Sequence, residues 1–120
     1  LTKNKIPFVN ENKVMKHALR VLNIKKLGFL VVINNQGLNS GIFTDGDLKR
    51  LMQKKKSINS SKIKMFMTKN PYVVEENTLA SDILNQMNKR KITNVCVYNK
   101  KNKRKTIGVI HIHNLLNILK

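Results

Sequence analysis

The chain has 120 residues and carries 24 Lys and Arg against 6 Asp and Glu, a formal net charge of +18. With 41% hydrophobic residues it holds enough apolar material for a packed core, which sets it apart from charged disordered chains. The length suits one domain or two very small ones; no apolar run approaches the ~20 residues of a membrane span, and a single cysteine, Cys96, excludes an internal disulfide framework or a cysteine zinc cluster.

The first predicted element is a short strand after Pro7, because proline cannot continue a helix and biases its predecessor to extended geometry. A helix follows, with Val14, Ala18, Leu19 and Leu22 on one face and Asn12 as its N-cap. The longest apolar run, Leu27 to Ile33, is strand-sized, and Phe29 to Ile33 within it is β-branched and apolar on both faces, the mark of a buried strand. Asn34-Asn35-Gln36-Gly37 makes a tight turn into a strand at Gly41–Thr44, and a helix bearing Leu48, Leu51 and Met52 comes next. Ser57 to Phe66 reads as a link with a short helix around Ile63–Met67. After Pro71 the order returns: a strand, a helix carrying Leu79, Ile83, Leu84 and Met87 capped by Asn77 or Thr78, and a buried strand at Val95 to Tyr98. A long basic loop, a strand at Thr106–His111 and a helix with Leu115, Leu116 and Leu119 complete it.

The two halves share wording as well as order. Leu1-Thr2-Lys3-Asn4 returns as Met67-Thr68-Lys69-Asn70, and Pro7-Phe8-Val9 as Pro71-Tyr72-Val73. Leu27 through Val32 matches Ile92 through Val97, and Gly41-Ile42-Phe43 matches Gly108-Val109-Ile110. The chain is therefore an internal duplication with a period of about 65 residues. The expected fold class is α+β, two β-α-β-β-α repeats packed about a pseudo-twofold axis, since a unit of about 60 residues is marginal alone. Expected boundaries are 1–56, a link at 57–66, and 67–120. The absence of a signal peptide and the start at Leu1 rather than Met suggest a cytoplasmic piece of something longer.

Twenty Lys, seventeen Asn and twelve Ile together fit an AT-rich coding bias, which explains the charge as solvated surface. The clusters Lys54-Lys55-Lys56 and Lys100-Lys101-Asn102-Lys103-Arg104-Lys105 sit in expected loops with few aromatics to stack bases, so nucleic-acid binding ranks below that reading. The chemically richest segment is Gly41-Ile42-Phe43-Thr44-Asp45-Gly46-Asp47-Leu48, where a strand gives way to a helix. A helix N-terminus offers unpaired N–H groups to phosphate; Thr44 adds a hydroxyl, and Lys49 and Arg50 follow. Asp47 suits either of two roles: acceptor for the vicinal hydroxyls of a ribose, or simple capping, and spacing alone favours capping. His111 and His113 alternate on a strand but lack a third metal ligand, so no metal site is expected. Cys96 reads as a small buried hydrophobe and His17 as exposed. With no nucleophile–base pair or paired carboxylates, no catalytic activity is expected.

The duplicated pattern with Gly41-Ile42-Phe43-Thr44-Asp45-Gly46-Asp47-Leu48 resembles a tandem of cystathionine-β-synthase (CBS) domains, a Bateman module, over essentially the whole chain. With Met67-Thr68-Lys69-Asn70-Pro71 and His113-Asn114-Leu115-Leu116, it is similar in particular to the C-terminal CBS pair of D-arabinose-5-phosphate isomerases, enzymes of the 3-deoxy-D-manno-octulosonate (Kdo) pathway of lipopolysaccharide. The resemblance implies a regulatory module, no catalysis of its own, an isomerase domain upstream, and a homodimer formed through the CBS pairs. It implies an adenine nucleotide (AMP or ATP) or CMP-Kdo as ligand. The family's phosphate contact falls on Thr44 and its ribose contact on Asp47, with Thr2, Lys3, Ile6 and Pro7 on the base side. In the second cleft the matching positions are His111 and Asn114, with Thr68, Asn70 and Pro71 on the base side. The chain departs from the family there: His stands for Thr, and Asn brings no charge. A ligand-free oligomerisation module is the alternative that the resemblance leaves open.

Overall fold

The computed structural model describes residues 6–25, 28–54 and 57–118, the side chains of 24, 25 and 118 excepted. Thr2 and Lys3, with the whole opening block 1–4, and Leu27, Lys55, Lys56 and Leu119 lie outside the described residues. Strand β1 (Phe8–Asn10) follows Pro7 and runs parallel to β2 (Phe29–Ile33), with Phe8 opposite Val31. A parallel pair needs a crossover, which helix α1 (Met15–Lys25) supplies. The turn at Asn34–Gly37 then folds β3 (Asn39–Thr44) back antiparallel on β2, the amide of Gly37 donating to the Asn34 carbonyl at 3.0 Å. Gly37 takes φ +79°, a conformation that suits glycine. Helix α2 (Asp45–Gln53) leaves directly from β3.

The stretch expected as a link is part of this first half. A 3₁₀ turn at Ile63–Met65 sends Ile63 into the core, fully buried, beside Val9, Met15, Ala18, Leu22, Leu30, Val32 and Phe43. A two-residue strand, β4 (Thr68–Lys69), then adds to the sheet antiparallel to β3, giving the order β1-β2-β3-β4. Gly41 makes this approach feasible: a Cβ there would stand 2.4 Å from the Thr68 carbonyl oxygen. One compact unit accordingly runs Pro7–Asn70, and the other takes Ile6 and the chain from Pro71. These limits differ from the expected 1–56, 57–66 and 67–120, because the 3₁₀ turn and β4 are packed rather than spanning.

The second unit repeats the plan with β5 (Val73–Glu75), α3 (Ala80–Arg90), β6 (Asn94–Tyr98), β7 (Gly108–His111) and α4 (Ile112–Ile118). Its sheet runs β5-β6-β7, parallel then antiparallel, over a core of Val74, Ile83, Met87, Val95, Val97 and Leu115. Cys96 is buried in β6, and His17 is exposed on α1, both as expected. Each half thus has the strand, helix, strand, strand, helix order read from the sequence, and the fold class is α+β.

The helix starts differ from expectation. Asn12 does not cap α1; its amide donates to Asn10 Oδ1 at 2.9 Å in a turn. The first-turn amides of Met15 and Lys16 instead find the carbonyls of Ser61 and Asn59, at 2.8 and 3.1 Å. A tertiary segment thereby does the work of a capping side chain. Val14 precedes the helix, bridged to Lys62, and is half-exposed rather than on its buried face. In α3 the N-cap is Leu79, not Asn77 or Thr78; it makes no side-chain cap bond and is 68% exposed. The apolar period is real but continues one residue past the helix end. Met52 and Leu116 are likewise exposed, so the buried stripes of α2 and α4 are narrower than their leucines suggest.

Candidate ligand site at the head of helix α2

Thr44 closes β3 in an extended conformation, φ −112° and ψ 166°, and is the N-cap of α2. Its hydroxyl accepts the Asp47 amide at 3.1 Å, while Asp47 Oδ2 accepts the Thr44 amide at 3.0 Å. This reciprocal capping box satisfies two donors that a helix start leaves open. Capping, the role that spacing favoured, is therefore what Asp47 does in the structure. The carboxylate does more, however. Thr68, brought in by β4, donates its hydroxyl to Oδ2 at 3.4 Å, and Arg50, one turn along α2, holds Oδ1 in an ion pair. Asp47 is 9% exposed and the Arg50 side chain 67%.

The base-side residues sort differently from the repeat alignment. Thr68, assigned to the second cleft, stands against Asp47 of the first, because β4 pairs with β3. Asn70 ends the same unit in a left-handed conformation, φ 52°, and Pro71 opens the other. Pro7 is buried with its carbonyl on the Val31 amide in the first unit, whereas Ile6 falls in the second. Thr2 and Lys3 lie outside the described residues. Sequence reasoning missed Thr68 as a neighbour of Asp47. The available signal was Gly41, since glycine inside a strand marks a close backbone approach.

Two concavities flank α2. The larger, about 500 Å³, is walled by Leu19, Leu22, Leu48, Leu51, Met52 and Ile58 between α1 and α2, and includes neither Thr44 nor Asp47. The other, about 420 Å³, is lined by Asp47, Arg50, Lys54, Met65 and Phe66 among others. It combines one carboxylate, two cations and an apolar wall within a volume that suits a small ligand.

The second repeat keeps the capping geometry with different atoms. Asn114 Oδ1 accepts the His111 amide at 3.0 Å, and His111 Nδ1 accepts the His113 amide at 3.1 Å. The two imidazoles stack with centroids 4.7 Å apart. Opposite His111 in register is Asn94, buried, with its side-chain oxygen lacking a partner among the described residues. Among the described residues no three His, Cys, Asp or Glu side chains come together to hold a metal, and no helix is long and apolar enough to cross a membrane.

Burial, and secondarily the neighbouring His113 charge, hold the His111 pKa below its ordinary 6.5. The folded state therefore resists a proton that the unfolded chain accepts. Stability from this group is complete above the unfolded pKa and is lost as pH falls through 6.5 towards the depressed folded value. We expect the melting temperature to fall between about pH 7.5 and 5.5, and to fall less in His111→Asn, which keeps an acceptor but cannot titrate. Identical profiles in the two proteins would remove His111 from the account.

Residues 62–120, which hold the second β-α-β-β-α repeat, match the CBS domain family, and the first repeat has the same element order with a Thr-x-x-Asp box at the head of α2. The chain's fold is similar to that of the CBS domain pair of protein MJ0100 in complex with 5′-methylthioadenosine and S-adenosyl-L-methionine (TM-score 0.79, 23% identity, 93% of this chain and 86% of that one). It is also similar to CBSX2 in complex with AMP (TM-score 0.81, 24% identity, 98% and 89%). In sequence the chain is 36% identical over 115 residues to arabinose 5-phosphate isomerase KdsD of Yersinia pestis. That match covers 96% of the chain and 34% of the isomerase, so the chain spans about a third of its relative's length.

Proposed function

We propose that the chain is the regulatory, nucleotide-binding CBS pair of a cytoplasmic sugar-phosphate isomerase of the Kdo pathway. The observation that carries the reading is the isomerase match, which runs through 96% of this chain and leaves the other two thirds of the relative outside it. An isomerase domain upstream would supply the catalysis, while the CBS pair biases its activity through a ligand that favours one arrangement over another. AMP, ATP and CMP-Kdo are the candidate ligands; the complexes of CBSX2 and MJ0100 with adenine compounds support an adenine nucleotide. Thr44, beside the α2 N-terminus, takes the phosphate, and Asp47 the ribose hydroxyls. Thr68 joins them from β4, and the charge-free pair His111 and Asn114 makes the second cleft the weaker site. Pairing of two copies as a homodimer would cover the apolar groove between α1 and α2.

A thermal-shift panel of AMP, ATP, CMP-Kdo and a non-nucleotide phosphate tests the reading. At a hundredfold excess over Kd, a ligand specific to the folded state adds about 2.7 kcal/mol, a shift of several degrees. At least one nucleotide should do this in preference to the others, and the preference should survive added salt. No response to any of them would leave the alternative, a ligand-free oligomerisation module. Binding of any polyanion that collapses with salt would instead indicate a nucleic-acid surface.

A further inference from the structure

The Asp47 carboxylate offers about four acceptor positions, and donors of the described residues take three of them. Oδ2 already receives the Thr44 amide and the Thr68 hydroxyl, and Oδ1 receives Arg50. A ribose diol that donates both of its hydroxyls to this carboxylate must therefore displace one of these donors. The Thr44 bond belongs to the start of α2 and the Thr68 bond to the sheet, whereas Arg50 sits on a side chain 67% exposed, tethered among the described residues by this ion pair. Arg50 is the partner that leaves.

From this we infer that Arg50 is a specificity latch: it occupies Asp47 in the empty site and yields only to a ligand that brings a phosphate for it. This rests on the nucleotide reading above and goes beyond it, because it names what the site rejects. A guanidinium released from a carboxylate beside a half-enclosed cavity seeks another anion, and its fork matches phosphate bidentately. The cavity of about 420 Å³ that both residues line provides the space, with Lys54 one further turn along adding charge and Phe66 and Met65 forming an apolar wall. A phosphorylated ribose exchanges one Arg50 partner for another. A nucleoside takes the carboxylate and strands the guanidinium, so it binds at a disadvantage.

The test compares AMP with adenosine on the wild-type chain, Arg50→Gln, Arg50→Lys and Asp47→Asn by calorimetry. A pair this exposed contributes little to stability, so the Arg50 variants should fold, as their melting temperatures would confirm. The wild type should prefer AMP. In Arg50→Gln, AMP should weaken and adenosine tighten, reducing the preference at least about tenfold, with Arg50→Lys in between. An unchanged preference in Arg50→Gln, or equal weakening of both probes, overturns the latch. If AMP binds the wild type and Asp47→Asn loses it while Arg50→Gln keeps the preference, the nucleotide reading stands and the latch alone fails. If neither probe binds the wild type, the nucleotide reading fails and takes the latch with it.

Discussion

Asp47→Ala is expected to damage the protein twice, once in stability and once in binding. The substitution removes the N-cap partner of Thr44, the acceptor for Thr68 and the anchor of Arg50 together. Losing a capping acceptor costs about 0.5–2 kcal/mol, and hydrogen bonds to a charged group are stronger than neutral ones. A total near 2–3 kcal/mol follows, read as a drop in denaturant midpoint at unchanged slope. Nucleotide affinity should fall at least about tenfold, the ~1.4 kcal/mol step. Asp47→Asn separates the two effects: it keeps a side-chain oxygen for the Thr44 amide but loses the charge, so binding should suffer more than stability. Asn114→Ala, by contrast, removes one exposed cap bond from a seven-residue helix and should leave affinity unchanged. If Asn114→Ala proves the more damaging to binding, the ligand occupies the second cleft, and the assignment to Asp47 is wrong.

What was legible in the sequence was local. Phe29–Ile33 announces a buried strand by its β-branched run, and Asn34–Gly37 its own turn, since both depend only on adjacent residues. The duplication made the element order legible twice over. The capping role of Asp47 was visible because it depends on spacing along the chain, whereas the reciprocal partner, Thr44, emerged with the structure. The failures share a cause. Asn12 looks like a cap, yet the amides it would serve are taken by Ser61 and Asn59, some forty-five residues away. Ser57 to Phe66 looks like a link by composition, yet Ile63 is fully buried, and only a long-range contact can turn a polar stretch into a wall of the core. The contact of Thr68 with Asp47 went unseen for the same reason. The repeat alignment matches it to Thr2 and so groups it with the second repeat, while a two-residue strand pairs it with Ile42 of the first. So short and polar a strand carries none of the alternation that reveals longer ones.

That strand depends on one missing Cβ. At Gly41 a side chain would begin 2.4 Å from the Thr68 carbonyl oxygen and 3.0 Å from Met67 Sδ. The methionine is flexible and can move, but the carbonyl is backbone and already committed to the sheet. Gly41→Val therefore leaves two outcomes: β3 and β4 separate, or both distort. Overpacking of this kind costs about 1–3 kcal/mol, and losing the pairing of Gly41 with Lys69 and Ile42 with Thr68 adds to it. A destabilisation of at least about 2 kcal/mol is expected, with loss of amide protection in β4 before the rest of the sheet. The consequence for the site is specific. Thr68 is carried off Asp47 while the box with Thr44 remains, since that box is built within β3 and α2 alone. Thr68→Val provides the comparison, because it removes the hydroxyl and leaves the backbone spacing intact. If both variants weaken nucleotide binding, the Thr68 hydroxyl is part of the site; if only Gly41→Val does, the strand matters as a wall. Unchanged protection and stability in Gly41→Val would mean that β4 does not hold Thr68 against Asp47 at all.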